Sequence, residues 1–258
     1  MKILDETFPV APGVPPMDSG ASIPAWLVHK MNRMTMIVGL VGTDGIVLAA
    51  DRDRRKLAEK DGELDEVSGI KKIINLPDYG VAYAFAGDGE VLQACRALEQ
   101  SLRDGIFNLN NAAASLGELA RDFAQRYTGS IPSPRSILIA IYDNVRVDLW
   151  CVRLEINSMS TIERVVSREV CGAKGNSARY ILDAYFEHDM PIEQLKRIAA
   201  HTVLSGYKVD RFINGLDVAV ITCSGYQEVP AEERLLYRKQ SSEIDRLITG
   251  TAISRIAC

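Results

Sequence analysis

No run in this sequence approaches the roughly 20 consecutive apolar residues that cross a bilayer, and its longest apolar stretches are strand-sized. The N-terminal segment MKILDETFPVAPGVPPMDSGASIP has one early lysine but no apolar core followed by a small-residue cleavage site. It does not read as a secretory signal, so a cytoplasmic location is expected. The five cysteines, Cys95, Cys151, Cys171, Cys223 and Cys258, are scattered without the paired spacing of a zinc site. Reduced thiols, mostly in the core, are expected. The three histidines, His29, His188 and His201, are too dispersed for a triad or a metal site. A net charge of -4 with both signs interspersed leaves no basic footprint for nucleic acid. No internal repeat is evident. Gly172 and Gly175 in CGAKG form an incomplete strand-to-helix glycine pattern, read as turn glycines before a helix rather than a phosphate cradle. No cofactor and no metal are expected.

What is present is a chain of 258 residues, 47% hydrophobic and 25% charged, enough for one large or two small domains with a well-buried core. Residues 1–34 are rich in proline, glycine and small side chains and read as a poorly ordered leader, with a short helix conceivable in IPAWLVHKMNR. From Thr35 the pattern sharpens. TMIVGLV and IVLAAD flank the turn sequence GTDG as a hairpin, and KKIINL and GVAYAFAG form a second pair around PDY.

Two amphipathic helices follow. One carries Val91, Leu92, Cys95, Leu98 and Leu102, the other Leu116, Leu119, Phe123 and Tyr127, both near helical spacing. Beyond SIPSP come strands in RSILIAIYD and VRVDLWCVRL, then a pair around MSTIERVV and REVCG. Two more helices lie on either side of Pro191, and GLDVAVITC is a last strand. Strands and helices arrive in blocks, which predicts an α+β fold with two mainly antiparallel sheets packed between helix pairs. Residues 35–230 form this domain, and 231–258 read as a charged, peripheral C-terminal tail.

The hairpin brings polar ends together. With an odd register sum across its turn, Thr35 lies opposite or diagonal to Asp51 and Asp53. A mid-chain threonine is a weak nucleophile, but an N-terminal one carries an α-amino group whose ordinary pKa of about 7.7–8.0 suits a general base. A nearby lysine favours the deprotonated amine and stabilises developing negative charge. Of Lys71 and Lys72 at the start of the next strand, only one can point inward.

Taken together, TMIVGLVGTDGIVLAAD, KKI, AFAGDGEVL, CGAKGNSARYIL and LDVAVIT resemble, in unbroken order from Thr35 to Thr222, the 20S proteasome subunits, threonine members of the N-terminal-nucleophile hydrolases. The resemblance implies a four-layer αββα sandwich. It places Thr35 at the nucleophile, Asp51 at the acid, Lys72 at the lysine and Asp210 at the supporting aspartate. The backbone amide at Ala84 falls at the oxyanion position, with alanine in place of the family's glycine. Met34 stands where active subunits typically have glycine, and Lys174 and Ile213 stand where they have serines. Lys174 and Asp210 are as readily a structural ion pair.

The implied activity is a threonine-type endopeptidase acting inside stacked rings of like or α-type subunits, on peptides or unfolded protein. The alternative is a non-catalytic ring subunit, an inactive β-type or an α-type, and a third reading is a small-molecule amidohydrolase of the wider nucleophile family. The stripe Val91, Leu98 and Leu102 and the alanine-rich helix beside it are expected to face a neighbouring subunit.

Overall fold

A computed structural model describes residues 35–52, 71–87, 90–126, 135–154, 160–172, 175–209 and 215–256. The expected leader, and the short helix within it, lie outside them. Ten strands form two five-stranded antiparallel sheets. The first has the order β10-β9-β2-β1-β8, the second β3-β4-β5-β6-β7. In the first, β1 (Met36–Val41) and β2 (Ile46–Ala50) are the hairpin, followed outward by β9 (Asp217–Thr222) and β10 (Gly225–Glu228) on one side and β8 (Arg168–Gly172) on the other. The second runs in chain order through β3 (Ile73–Leu76), β4 (Val81–Ala86), β5 (Arg135–Tyr142), β6 (Val147–Leu154) and β7 (Thr161–Val165).

Helices α1 (Val91–Arg103) and α2 (Ala112–Arg126) cover the outer face of the second sheet. Helices α3 (Gly175–Tyr185), α4 (Ile192–Val209) and α5 (Ala231–Ile256) form the layer on the first. The α+β, four-layer sandwich is therefore the architecture of the chain.

Alternation along the strands explains why the layers stack in this order. On β1, Met36, Val38 and Leu40 face the helices while Ile37 faces the other sheet. On β4, Val81, Tyr83 and Phe85 face α1 and α2, and Ala82, Ala84 and Ala86 face the first sheet. Successive side chains on a strand point to opposite faces, so a strand buried on both reads as an unbroken apolar run. The middle layer is rich in alanine, at positions 50, 82, 84, 86, 140 and 219, which suits close approach of two sheets.

Helix spacing works the same way. Val91, Cys95, Leu98 and Leu102 recur every three or four residues on α1 and are buried against the second sheet within this one chain. Each fully buried aliphatic side chain of this kind is worth about 1.5–3 kcal/mol. The expectation that this stripe meets a neighbouring subunit is thus corrected: it belongs to the chain's own core. Larger exposed apolar side chains lie on the opposite helix layer, Tyr180 and Tyr185 on α3 and Leu235, Leu236 and Ile244 on α5.

Two further features differ from the sequence reading. The segments around Thr161 and Arg168 do not pair with each other, because β7 closes the second sheet on β6 and β8 joins the first beside β1. The chain changes sheet there, and the exchange is held by Arg153 of β6, which pairs with Glu163 of β7 at 2.9 Å and Glu169 of β8 at 3.0 Å. The charged tail is the helix α5. Its Tyr237 is buried, Ser241 meets His201 of α4 at 2.9 Å, and Glu233 meets Lys196 of α4 at 2.7 Å.

Of the cysteines, Cys95, Cys151 and Cys171 are buried free thiols and Cys223 is exposed. The sulfurs of Cys151 and Cys171 lie 3.6 Å apart between the sheets. The Cys171 thiol beside it, and burial, push the Cys151 thiol far up from its ordinary pKa.

Candidate active site

The site sits where β1 begins and β2 ends. Register pairs Ile37 with Ala50, and one step further the Asp51 amide donates to the Met36 carbonyl at 3.1 Å. Asp51 therefore lies opposite Met36, diagonal to Thr35. Its carboxylate is fully buried, and Oδ1 accepts the Met36 amide at 2.7 Å while Oδ2 accepts the Lys72 ammonium at 2.7 Å. The Lys72 side chain is 2% exposed. Burying two charges is tolerated only when each is paired and hydrogen-bonded, and here both conditions hold.

Lys72 immediately precedes β3, and its carbonyl accepts the Phe85 amide of β4 at 3.3 Å, which fixes its backbone against the second sheet. Lys71, its neighbour, points the other way and pairs at the surface with Glu228 at 2.7 Å.

Thr35 is nearly buried, 7% exposed, and its hydroxyl oxygen accepts the backbone amide of Gly87 at 2.8 Å. Gly87 closes β4, three residues past Ala84. Ala84 itself lies mid-strand, paired with Ile73 on one side and Leu138 on the other, and is fully buried. The amide that meets the Thr35 hydroxyl is thus Gly87's, while Ala84 lies within the strand ladder. A glycine at the end of the apolar run VAYAFA was the available signal.

A second feature escaped the sequence reading. Gly172 ends β8 opposite Met36, with φ of 116°, and a Cβ there would stand 1.8 Å from the Thr35 carbonyl oxygen. Only glycine accepts both the positive φ and this approach. What reads as a turn glycine is the point at which β8 presses on the residue bearing the hydroxyl.

Asp210, Lys174 and Ile213, named from the sequence, lie outside the described residues, as does Asp53. Three of the five expected site residues, Thr35, Asp51 and Lys72, are brought together at one end of the β1–β2 hairpin. Among the described residues, no group of three or more His, Cys, Asp or Glu side chains could hold a metal ion. No described helix is long and apolar enough to cross a membrane.

Chemically, the arrangement offers a hydroxyl with an amide donor against its oxygen, on the residue before the Met36 amide that binds the carboxylate of the buried Lys72–Asp51 pair. Such a site can stabilise negative charge that develops close to the hydroxyl.

A family model described as Proteasome subunit matches residues 31–221. Curated relatives include Proteasome subunit beta 2 of Pyrococcus abyssi, 28% identical over 199 residues, covering 76% of this chain and 90% of the relative. Proteasome subunit beta 1 of Thermococcus sibiricus is 28% identical over 214 residues, covering 81% of this chain and 96% of the relative. Among solved structures, Anbu (ancestral beta-subunit) from Yersinia bercovieri superposes with a TM-score of 0.65 at 17% identity, over 84% of this chain and 97% of that one. An Anbu (Gly-1) mutant from Hyphomicrobium sp. strain MC1 gives 0.63 at 16%, over 87% and 100%. These two likenesses bear on fold alone.

Proposed function

The chain belongs to the proteasome subunit family, and we propose that it is a threonine-type peptidase subunit that hydrolyses peptide bonds through Thr35 within a ring assembly. The observation that carries the reading is the convergence on one strand end of the Thr35 hydroxyl, the Gly87 amide and the buried Lys72–Asp51 pair. A strand threonine in a merely structural role needs no buried ammonium–carboxylate pair beside it.

In the proposed reaction Thr35 is the N-terminal residue. Its α-amine takes the hydroxyl proton as Oγ1 attacks the substrate carbonyl carbon. The Gly87 amide donates to the oxyanion, taking the role expected of Ala84. Lys72, held by the Asp51 carboxylate at 2.7 Å, is the cation whose field favours both the neutral amine and the developing alkoxide. Collapse expels the leaving amine and leaves an ester on Thr35, which water then hydrolyses. Asp210 completes the proposed set as a supporting carboxylate. Rings built with other proteasome-type subunits would enclose the site, with peptides or unfolded protein as substrate and the cytoplasm as its location.

Intact mass and N-terminal sequencing of the purified protein, together with hydrolysis of fluorogenic peptides, test this. Expected is a chain beginning at Thr35 that cleaves peptides and loses all cleavage on Thr35→Ala. A chain that forms rings and cleaves nothing, both at full length and when started at Met34, would favour the structural-subunit reading instead. Cleavage of small amides by a monomer would favour the amidohydrolase reading.

A further inference from the structure

The C-terminal helix reaches the strand end that carries Asp51. Arg234, in the first turn of α5, donates to Oδ1 of Asp217 at 2.7 Å. Asp217 opens β9 opposite Ala50 of β2 and is 1% exposed. The same oxygen accepts Arg52 through Nε at 2.7 Å and through the terminal nitrogen at 2.6 Å. Arg52 is the residue directly after Asp51. One buried carboxylate oxygen therefore ties together a residue of α5, the start of β9 and the end of β2. Against the other side of Arg52 lies Gly215, with φ of 77°, where a Cβ would come within 2.6 Å of the Arg52 Cβ. Asp51 is consequently held from two directions. Met36 grips it through a reciprocal pair of bonds, and Arg52 anchors the next backbone step.

We propose that Arg234 is a positioning residue for the active site: through Asp217 and Arg52 it fixes the backbone of Asp51 and hence the Asp51–Lys72 pair. The helix α5 is then more than cover for the first sheet. With Arg234 absent, Asp217 keeps one guanidinium of two, and the joint between β9 and Arg52 loses its tie to α5. Two charge-assisted donors on a buried oxygen make a far stiffer joint than one. The effect on turnover rests on the peptidase reading above; the effect on the backbone does not.

The test compares full-length wild type with Arg234→Met, Arg234→Lys and Lys196→Met. The last loosens the same helix at the Lys196–Glu233 pair without touching Asp217. Hydrogen exchange is read on peptides covering the Met36 and Asp51 amides, and peptide hydrolysis as kcat and KM separately.

Expected for Arg234→Met is exchange at Met36 and Asp51 faster by about tenfold and kcat lower by about tenfold, with KM unchanged. Arg234→Lys should restore most of both, and Lys196→Met should leave Met36 and Asp51 as in wild type. Equal acceleration in Arg234→Met and Lys196→Met would overturn positioning in favour of general loosening. Unchanged exchange in Arg234→Met would overturn it outright. If neither the full-length wild type nor a chain started at Met34 hydrolyses peptides, the peptidase reading fails while the exchange comparison still decides the inference.

Discussion

Lys72 and Asp51 form an ion pair of 2.7 Å with 2% and 0% of their side chains exposed, Asp51 just past β2 of the first sheet and Lys72 just before β3 of the second. The pair binds structure and proposed chemistry together. Removing either partner leaves the other charge buried without its counter-ion, which costs about 3–5 kcal/mol. Lys72→Ala should therefore both abolish peptide cleavage and lower the unfolding midpoint, rather than leave the fold untouched. Lys71→Ala, which breaks only the surface pair with Glu228, should be nearly silent in both. Thermal melts and peptide assays on the two variants check this, and similar losses in each would contradict the assignment.

Gly172→Ala should be worse than its single methyl suggests. The added Cβ meets the Thr35 carbonyl oxygen at 1.8 Å and the backbone has φ of 116°, so both contact and conformation are unfavourable. Ala in a position of positive φ destabilises by more than about 1 kcal/mol, and relief requires β8 to move off β1 at Thr35. Expected is a lower melting temperature together with lost cleavage. A control at Gly117 of α2, where a Cβ meets nothing within 4 Å, should keep full activity.

The docking of α5 should weaken in acid. Burial pushes the Glu233 carboxyl up, but hydrogen bonds from Lys196 and Tyr237 outweigh it and hold the group below its ordinary pKa. A depressed carboxyl contributes stability that is present above the unfolded value, about 4.3, and lost as pH falls through the folded one. Lys196, raised by Glu193 and Glu233 against its own burial, contributes below about 10.4 and loses that contribution as pH rises through the folded value. Glu233→Gln should accordingly melt below wild type at pH 7, with the gap closing toward pH 3. A gap that stays constant with pH would show that the carboxylate charge contributes nothing.

The sequence discloses the layers more readily than the joints. Period-two alternation on both-face-buried strands and three-to-four spacing on α1 and α2 are local patterns, and each matches the three apolar interfaces of the sandwich. The parting of β7 from β8 is set by long-range pairing with β6 and β1, to which no local pattern points. The helix α5 was hidden for a different reason. Among its described side chains most are polar, and Leu235, Leu236, Tyr237 and Ile244 form no single stripe, so these dock through Tyr237 and a few polar contacts. At the site, strand alternation leaves Asp51 beside Asp53 and Lys72 beside Lys71 as candidates, and the choice within each pair comes from the family resemblance. The Gly87 amide is a backbone donor, whose one trace in the sequence is the glycine that follows VAYAFA.

The opening of the chain remains the sharpest test of the proposed chemistry. The α-amine of Thr35 can act as base only when the bond from Met34 is broken, and the described structure places the Thr35 hydroxyl against the Gly87 amide at 2.8 Å. Two routes expose that amine. In the first, Oγ1 attacks the Met34 carbonyl carbon with the Gly87 amide on the oxyanion, the Met34–Thr35 C–N bond breaks with the hydroxyl proton passing to the released α-amine, and water hydrolyses the resulting ester; methionine before the bond lacks the conformational freedom of glycine for the turn this attack requires. In the second, translation begins at Met34 and removal of the initiator exposes Thr35 without self-cleavage. Thr35→Ala separates them. Under the first route the variant keeps its leader when the full 258-residue chain is expressed, and wild type loses it. Under the second, full-length wild type keeps its leader and is inactive, whereas a chain started at Met34 is processed and cleaves peptides. Full-length wild type that keeps its leader, hydrolyses peptides and is indifferent to Thr35→Ala would remove Thr35 from the mechanism altogether.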